Sequence, residues 1–130
     1  HICPSNIPTN FIYSFFFGLL SGNSNIVKMP TKHSNQKEII LKVLDILFKK
    51  KKFIQFKESN YFIEYDYLNE SQFTNEISAI CDVRLVWGSD ETINQIKKIW
   101  TPERSIDVMF SDRYSLSVIN IDKIKKLKNN

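Results

Sequence analysis

Short apolar runs rich in β-branched residues alternate along the chain with segments of helical periodicity. The runs Asn25–Met29, Val83–Trp87 and Ile106–Phe110 are typical of strands, the second of a buried one, and Pro30 and Gly88 follow the first two directly. Strands that alternate with helices form mostly parallel sheets covered by helices. The pattern therefore predicts an α/β fold, with an open, mostly parallel sheet and helices on both faces.

The remaining elements follow from the same periodicities and from capping residues. Further strands are predicted at His1–Cys3, Tyr61–Tyr67 and Leu116–Ile121. Four helices are predicted. Three cover Asn10–Leu20, Glu70–Ile80 and Asp90–Trp100, and the other, second in the chain, begins after a cap at Ser34 or Asn35. The first is capped by Thr9 or Asn10 and ended by Gly22. The second carries Ile39, Ile40, Val43, Leu44 and Leu47 on one face and closes at Lys49–Lys52, and the last carries Ile93, Ile96 and Trp100 on one side. For the basic tail 122–130 a last helical turn and a frayed end are both compatible with the sequence.

Composition limits the class of protein. A length of 130 residues suits one domain, and 42% apolar with 25% charged residues indicates a folded chain rather than a disordered one. The net charge of +4 mildly favours an anionic ligand. Two cysteines are too few for a disulfide framework, and no group of residues has metal-ligand spacing. The apolar stretch Phe11–Leu20 is too short to span a bilayer and lacks a basic flank, so a cytoplasmic location is expected.

Ligands of open α/β sheets bind beyond the carboxyl ends of the strands. The loops Pro4–Thr9, Lys28–Ser34 and Gly88–Thr92 occupy such positions and suit an anionic nucleotide. At Gly88 the backbone can turn tightly, and free N–H groups at the following helix start could meet a pyrophosphate. Asp90 and Glu91 would repel phosphate, so a plain capped helix is the competing interpretation.

Three single residues have both a functional and a structural interpretation. Lys28 could reach a ribose hydroxyl or a phosphate, or it could be a solvated lysine at a strand end. Asn6 could donate a hydrogen bond to a developing oxyanion, or it could stabilise its own turn. Cys3 is expected to be a buried strand cysteine rather than a nucleophile.

Two stretches together resemble a known family. The first is HICPSNIPTNFIYSFFFGLLSGNSNIVKMPTK, and the second is VRLVWGSDETINQIKKIW followed by IDVMFSDRYSLSVI. They resemble the long-chain fatty-acyl-CoA reductase family of bacterial luminescence, a branch of the aldehyde dehydrogenase superfamily. The resemblance covers roughly half of the chain, in the right order. It implies a Rossmann-like fold, namely an incomplete aldehyde dehydrogenase nucleotide-binding domain.

The resemblance also implies roles for matching residues. Asn6 matches the asparagine of a Pro-x-Asn-x-Pro motif, whose amide helps to hold the thioester or aldehyde oxygen. Lys28 matches the lysine that binds the adenosine ribose or its phosphate, and Gly88 and Ser89 match the turn that opens the helix beneath the pyrophosphate. These implied positions are the catalytic Asn6 and the cofactor-binding Lys28, Thr31, Lys32, Gly88 and Ser89, with no metal.

A departure from the superfamily pattern bears on the choice of cofactor. Many NAD-preferring members place a glutamate three residues after the lysine, where Thr31 stands here, followed by Lys32 and His33. A 2′-phosphate would be repelled by glutamate and attracted by these residues, so NADPH (NADP) is the expected cofactor.

Two catalytic groups of the superfamily are missing from the chain. In the superfamily a Glu-Leu-Gly-Gly stretch carries a general base. The corresponding position here is near Val108–Asp112, where that stretch is absent, and nothing distinguishes Asp107 from Asp112 as a general base. The resemblance places the nucleophilic cysteine beyond Asn130, so neither Cys3 nor Cys81 occupies its position. We therefore expect residues 1–130 to be one partial nucleotide-binding domain of a longer protein, without the catalytic-cysteine domain and inactive alone. The start at His1 rather than methionine, inside an expected strand, agrees with this.

The family function is reduction of an acyl-CoA, or another acyl thioester, to an aldehyde through an acyl-cysteine. Expected partners are therefore the acyl substrate, an acyl-transferring protein and further copies of the chain, because missing strands would expose sheet edges. A non-catalytic nucleotide-binding or scaffold module is the alternative function. Binding of nucleic acid through Lys49–Lys52 and Lys123–Lys128 is not expected, because no aromatic residues alternate with the lysines.

Overall fold

The computed structural model describes residues 1–4, 6–66, 70–111, 113 and 116–118. The helices and strands are, in chain order, α1 (Asn10–Leu20), β1 (Asn25–Lys28), α2 (Asn35–Phe48), α3 (Ile54–Glu58), β2 (Asn60–Ile63), α4 (Ser71–Ile80), β3 (Val83–Trp87), α5 (Asp90–Ile96) and β4 (Ile106–Phe110). A 3₁₀ helix at Lys51–Phe53 leads into α3. The α/β class that the alternating pattern predicts is confirmed.

The described strands belong to one parallel sheet, which residues 1–3 complete at its centre. β1 pairs in parallel with β2, and β3 pairs in parallel with β4. Ile2 forms parallel bridges to Lys28 on one side and to Val86 on the other. Its N–H donates to Leu85 O at 2.8 Å, and the Trp87 N–H donates to Ile2 O at 2.9 Å. The order across the sheet is therefore β2, β1, residues 1–3, β3 and β4.

Helices cover both faces of this sheet. Val86 packs against α5, whereas the indole of the next residue, Trp87, donates to Ser14 Oγ of α1 at 3.3 Å. Successive strand residues point to opposite faces, so α1 and α5 lie on opposite sides. Leu44 of α2 belongs to the same core cluster as α1. On the α5 side, Arg84 contacts Ser78 of α4.

Local chemistry explains where the first two helices begin and end. The predicted bounds of α1 are confirmed, and Gly22 follows it with a positive φ of 79°, a conformation that glycine adopts at little cost. Thr9 stands at the N-cap of α1 but makes no side-chain cap bond. The predicted Ser34 cap of α2 is also confirmed, because its hydroxyl accepts from the Lys37 N–H at 3.2 Å.

The predicted buried face of α2 is partly wrong. Ile39 and Val43 are 61% and 50% exposed, whereas Leu44 is buried as predicted. Lys37 is buried instead, and the inward face follows positions 37, 40, 41, 44 and 48. The prediction counted only apolar residues as buried and therefore missed Lys37. As a result, the predicted buried face included Ile39, which is exposed.

Three other predictions need correction. The last helix ends at Ile96 rather than Trp100, because i to i+3 hydrogen bonds tighten the chain after it and leave Trp100 69% exposed. The strand predicted at 61–67 is β2, which ends at Ile63, and Tyr65 turns aside to hydrogen-bond Thr74. Tyr67 lies outside the described residues.

The strand predicted at 116–121 is wrong for residues 116–118. Residues 116–118 have no regular structure, and Leu116 and Val118 are 91% and 90% exposed, so no described element covers or pairs with them. Residues 119–121 and the tail 122–130 lie outside the described part. Helix α3 was not predicted, since the lysine run before it was interpreted as a helix end. Among the described residues, no helix combines the length and apolarity needed to cross a membrane.

Candidate functional site

The three loops predicted to bind a nucleotide leave three neighbouring strands. Pro4–Thr9 follows residues 1–3, Lys28–Ser34 starts at the end of β1, and Gly88–Thr92 follows β3. Because these strands are parallel, all three loops lie along the same edge of the sheet, with Pro4–Thr9 in the middle. The sequence-predicted residues are thus brought to one edge.

Lys28, the last residue of β1, is half-buried at this edge. Its ammonium lies 5.5 Å from the centroid of the Tyr65 ring, an arrangement that favours a cation. Tyr65 in turn shares a 2.6 Å hydrogen bond with Thr74 of α4. Burial lowers the pKa of Lys28, and the nearby Cys3, Glu64 and Asp66 oppose that shift. Lys28 is therefore a partly desolvated cation with a defined position.

Lys37 of α2 fixes the loop that follows Lys28, and sequence reasoning missed it. Its side chain is 8% exposed, and its ammonium donates to Pro30 O at 3.0 Å and to Glu64 at 2.8 Å. The loop bearing Thr31 and Lys32 is thus tied to the end of β2, while both residues themselves are exposed. The sequence feature that could have identified Lys37 is its position three residues after the Ser34 cap, on the inward face of α2.

The positive charge of this loop is partly balanced. His33 pairs with Glu38 in the first turn of α2, and both side chains are well exposed. Glu38 therefore places a carboxylate close to the residues predicted to select a 2′-phosphate. Lys32 is the other cationic residue predicted for this loop, and it is exposed.

Gly88 and Ser89 form the turn into α5. The Gly88 N–H donates to Phe110 O at 3.2 Å, and a Cβ at Gly88 would lie 3.0 Å from Thr92 Cγ2. The Ser89 hydroxyl caps α5 by accepting from the Thr92 N–H at 3.2 Å. Asp90 and Glu91 stand in the first turn. Both predicted residues therefore have structural duties, and the acids give this helix start a negative character.

The start of α1 has the opposite character. The described structure shows no side-chain cap at Thr9 and no acidic residue in the first turn of α1. Asn10 is 8% exposed, and its Nδ2 has no hydrogen-bond partner within the described residues. Asn6, the predicted oxyanion donor, lies exposed on the same loop. Asn10 was considered in the sequence only as a cap, and only burial identifies its unpaired amide.

Beneath Asn10 lies a buried polar cluster that joins α1 to the sheet. Asn25 Nδ2 donates to Asn60 Oδ1 at 2.6 Å, so the Asn25 oxygen accepts from His1 Nε2 at 2.8 Å. In neutral histidine the other nitrogen then accepts from the Ser14 hydroxyl at 2.7 Å. Ser14 also accepts from Trp87. These groups satisfy one another and leave Asn10 unpaired above them.

A cavity of about 760 Å³ lies on the opposite face, between α4 and the sheet. Residues from β1, β2, β3 and α4 line it, among them Ile26, Lys28, Tyr61, Tyr65, Ser78 and Arg84. The end of α1 and the loop to β1 line its other end, at the amino ends of the strands. Its size falls within the usual range for small-molecule and cofactor sites. Lys28 therefore connects the loop edge with this cavity.

Neither cysteine resembles an activated nucleophile. Cys3 is 5% exposed, and burial raises the pKa of its thiol to about 11. Burial also raises the pKa of the Cys81 thiol. Asp107 is held by Arg84 through two hydrogen bonds of 2.8 and 2.7 Å, and Asp112 lies outside the described residues. In the described part of the chain, no cluster of His, Cys, Asp or Glu could hold a metal ion.

Comparisons with known proteins supply the family. The model of the family described as Acyl-CoA reductase (LuxC) matches residues 1–129. Searches of curated proteins and of solved structures find no match. The family match spans nearly all of the 130 residues, including the stretches on which the resemblance depends. The chain therefore belongs to the LuxC acyl-CoA reductase family.

Proposed function

We propose that residues 1–130 form the nucleotide-binding part of an NADPH-dependent reductase that converts an acyl-CoA, or a related acyl thioester, to an aldehyde. One observation carries the proposal: the loops that bear Asn6, Lys28 and Gly88 leave three adjacent parallel strands at one edge. That is where open α/β sheets bind nucleotides.

The strand order supports a Rossmann-like domain. If residues 1–3 count as the first strand, the order across the sheet in chain numbering is 3-2-1-4-5. This is the order of the doubly wound dinucleotide fold, in which the ligand occupies the crevice where the order reverses. Here that crevice lies between residues 1–3 and β3, beside the Pro4–Thr9 and Gly88–Thr92 loops.

The chemistry at the edge suits a phosphorylated dinucleotide. Lys28 offers a partly desolvated ammonium beside a cavity of about 760 Å³. The first turn of α1 contains no acidic residue that would repel a phosphate. Thr31 lacks the charge that would repel a 2′-phosphate, and Lys32 adds attraction. These features support NADPH rather than NADH.

Bound NADPH supplies the hydride for the reduction. We assign to Asn6 a hydrogen bond from its side-chain amide to the acyl oxygen, and to Gly88 and Ser89 contact with the cofactor backbone. The acylated cysteine lies outside these residues, a placement that the burial of Cys3 and its pKa of about 11 support. Further copies of the chain and an acyl-transferring protein complete the proposed set of partners, in the cytoplasm.

Titration of the chain with NADPH and NADH, followed by Trp87 and Trp100 fluorescence and by calorimetry, tests the proposal. We expect NADPH to bind more tightly than NADH. Lys28→Met should abolish the binding, whereas Lys42→Met, at an exposed lysine of α2, is the matched control and should not change it. Thr31→Glu should reverse the preference in favour of NADH, since it introduces the charge that repels a 2′-phosphate.

Circular dichroism must show that each variant is folded before its affinity is interpreted. Lack of binding below about 1 mM by the folded native chain would contradict the cofactor assignment. Retained NADPH binding in a longer form that lacks reductase activity with acyl-CoA would favour a non-catalytic nucleotide-binding module instead.

A further inference from the structure

A run of lysines that the proposed function does not use lies between the end of α2 and the end of α3. Residues 46–57, the basic segment, contain five lysines and no acidic residue. The full chain has 18 basic and 14 acidic residues, so 13 basic and 14 acidic residues remain outside the segment. The positive charge of the chain is therefore concentrated in this one place.

The lysines of the basic segment, at positions 49–52 and 57, are all exposed. Asp45 and Glu58 stand just outside the segment, and Lys49 forms an ion pair with Asp45. Within the described residues the other four lysines form no ion pair. Neighbouring cations repel one another, and an anionic surface would relieve that repulsion. The charge of the segment thus suits an anionic partner.

Exposed apolar side chains stand among these lysines. Ile46, Ile54 and Phe56 are 60%, 50% and 40% exposed. The ring centroids of Phe53 and Phe56 lie 6.0 Å apart, and the Lys52 ammonium lies 4.8 Å from the centroid of the Phe53 ring. Lysines combined with exposed aromatic and aliphatic side chains are typical of segments that lie in the headgroup region of a membrane.

The basic segment lies at the edge of the sheet opposite to the three loops of the candidate site. Helix α2 begins after the Lys28–Ser34 loop, and α3 leads into Asn60, the first residue of β2. Helix α2 also contacts both α3 and the 3₁₀ helix between them. The segment is therefore a local surface at the amino end of β2, and a partner bound there leaves the three loops uncovered.

We propose that the basic segment docks the protein onto a membrane surface that contains anionic lipids. The lysine ammonium groups bind lipid phosphates, and the exposed apolar side chains enter the headgroup region. The composition favours lipid over nucleic acid. The segment contains no arginine, which is the residue best suited to nucleic-acid phosphates, and Ile46 and Ile54 gain little from a phosphate backbone. The proposal does not depend on which cofactor the three loops bind.

Sedimentation of the full 130-residue chain with phosphatidylcholine vesicles that contain about 30% phosphatidylglycerol tests the proposal. We expect binding to these vesicles, no binding to phosphatidylcholine alone, and a marked loss of binding at about 0.5 M salt. Lys51→Gln with Lys52→Gln should weaken binding about 30-fold. The matched control, Lys97→Gln with Lys98→Gln, removes the same charge from two exposed lysines after α5 and should weaken binding less than about threefold.

A second pair of variants tests the apolar contact. Ile46→Gln with Ile54→Gln keeps every charge and should weaken vesicle binding about tenfold. Its control, Ile80→Gln with Ile106→Gln, changes two isoleucines of α4 and β4 that are at least as exposed, and it should leave vesicle binding unchanged. Circular dichroism must show that each variant is folded before its affinity is compared.

The remaining outcomes would each overturn the proposal. These are equal binding to neutral and anionic vesicles, equal losses in the two lysine pairs, and vesicle binding that does not respond to Ile46→Gln with Ile54→Gln. Duplex DNA serves as the competing probe. Binding of DNA that is tighter than binding of anionic vesicles, and that is lost in Lys51→Gln with Lys52→Gln, would assign the segment to nucleic acid instead.

Discussion

The two cysteines show how strongly position sets the chemistry of a single residue. Cys3 is the last residue of the central strand, packs in the core with α1 and is 5% exposed, whereas Cys81 follows α4 and is only half-buried. The thiolate is the reactive form, and access to reagent matters as well. The two thiols should therefore differ clearly in labelling.

We expect iodoacetamide at pH 8 to modify Cys81 in the folded chain and to leave Cys3 almost untouched. Mass spectrometry of peptides would measure both sites, and labelling in concentrated urea provides the control in which both react. Equal rates at the two cysteines without denaturant would show that Cys3 is not buried as described.

Cys3 also makes stability depend on pH. Burial raises the pKa of its thiol from 9.0 to about 11, so between these values the folded chain keeps a proton that the unfolded chain loses. The contribution of this thiol to the free energy of unfolding is therefore fully present below pH 9. It falls by about 2 to 3 kcal/mol as the pH rises to 11. Urea unfolding at several pH values should show this decline, and Cys3→Ala should show less of it.

Lys28 has the opposite effect on the pH dependence of stability, also at alkaline pH. Burial lowers the pKa of its ammonium below 10.5, so the unfolded chain binds more protons there and stability rises with pH. Lys28→Met should therefore steepen the alkaline decline, while Cys3→Ala flattens it. A Lys28→Met variant with a flatter decline would contradict the assigned direction.

At the scale of elements, one buried ion pair joins two strands and the chain around them. Arg84 of β3 binds Asp107 of β4 through both carboxylate oxygens and also donates to Ser78 of α4 and to Ile99 O. The Arg84 side chain is 4% exposed, and that of Asp107 is 30% exposed. Loss of the carboxylate would leave a buried guanidinium without its counter-charge.

We expect Asp107→Asn to lower the free energy of unfolding by about 3 kcal/mol. Arg84→Lys should also be destabilising, because lysine cannot form the paired hydrogen bonds. The matched control is Arg104→Met, which removes an ion pair to Asp82 whose side chains are 79% and 71% exposed, and it should cost about 0.5 kcal/mol or less. Urea unfolding would measure all three, and equal losses at both pairs would argue against the role of burial.

Gly18 allows α1 to approach β1. A Cβ at this position would overlap Asn25 Oδ1 and lie 2.9 Å from His1 Nε2, inside the buried polar cluster. Gly18→Ala normally favours a helix, but here we expect a loss of about 3 kcal/mol because the cluster must separate. Gly22→Ala, which meets no atom but has a positive φ, should cost only about 1 kcal/mol. A stabilised Gly18→Ala variant in thermal unfolding would disprove the close approach.

The elements also show what the sequence could and could not predict. The bounds of α1 and the Ser34 cap were predicted because local capping and periodicity determine them. The burial of Lys37 and the unpaired amide of Asn10 were not, because both depend on residues distant in sequence. The edge that gathers the three loops was predicted correctly, since parallel strands dictate it. The functions of the individual site residues stay predictions.

At the scale of the whole molecule, the outer side of α1 carries an apolar stripe at helical spacing. Tyr13, Phe16, Phe17 and Leu20 are 63%, 45%, 67% and 83% exposed. The helix contains no charged residue, and its inner side is apolar as well. A helix apolar on both sides is usually covered by protein.

We therefore expect the chain to self-associate, with a mass in light scattering that rises with concentration. Phe17→Lys with Leu20→Lys should shift the sample toward monomer. Ile39→Lys with Val43→Lys, at exposed positions of α2, provides a comparison that should retain association if α1 is responsible. A monomer at every concentration of the native chain would contradict the expectation.

The central position of residues 1–3 has a consequence for the order in which the sheet assembles. Asn25 pairs with Asn60, Val83 with Ile106 and Ile2 with Lys28, each across 35 residues or fewer, whereas Ile2 and Val86 are 84 residues apart. Contacts between distant segments form slowly. Residues 1–3 with β1 and β2 can thus form one early part of the sheet and β3–β4 another, and the junction between residues 1–3 and β3 is the last to form.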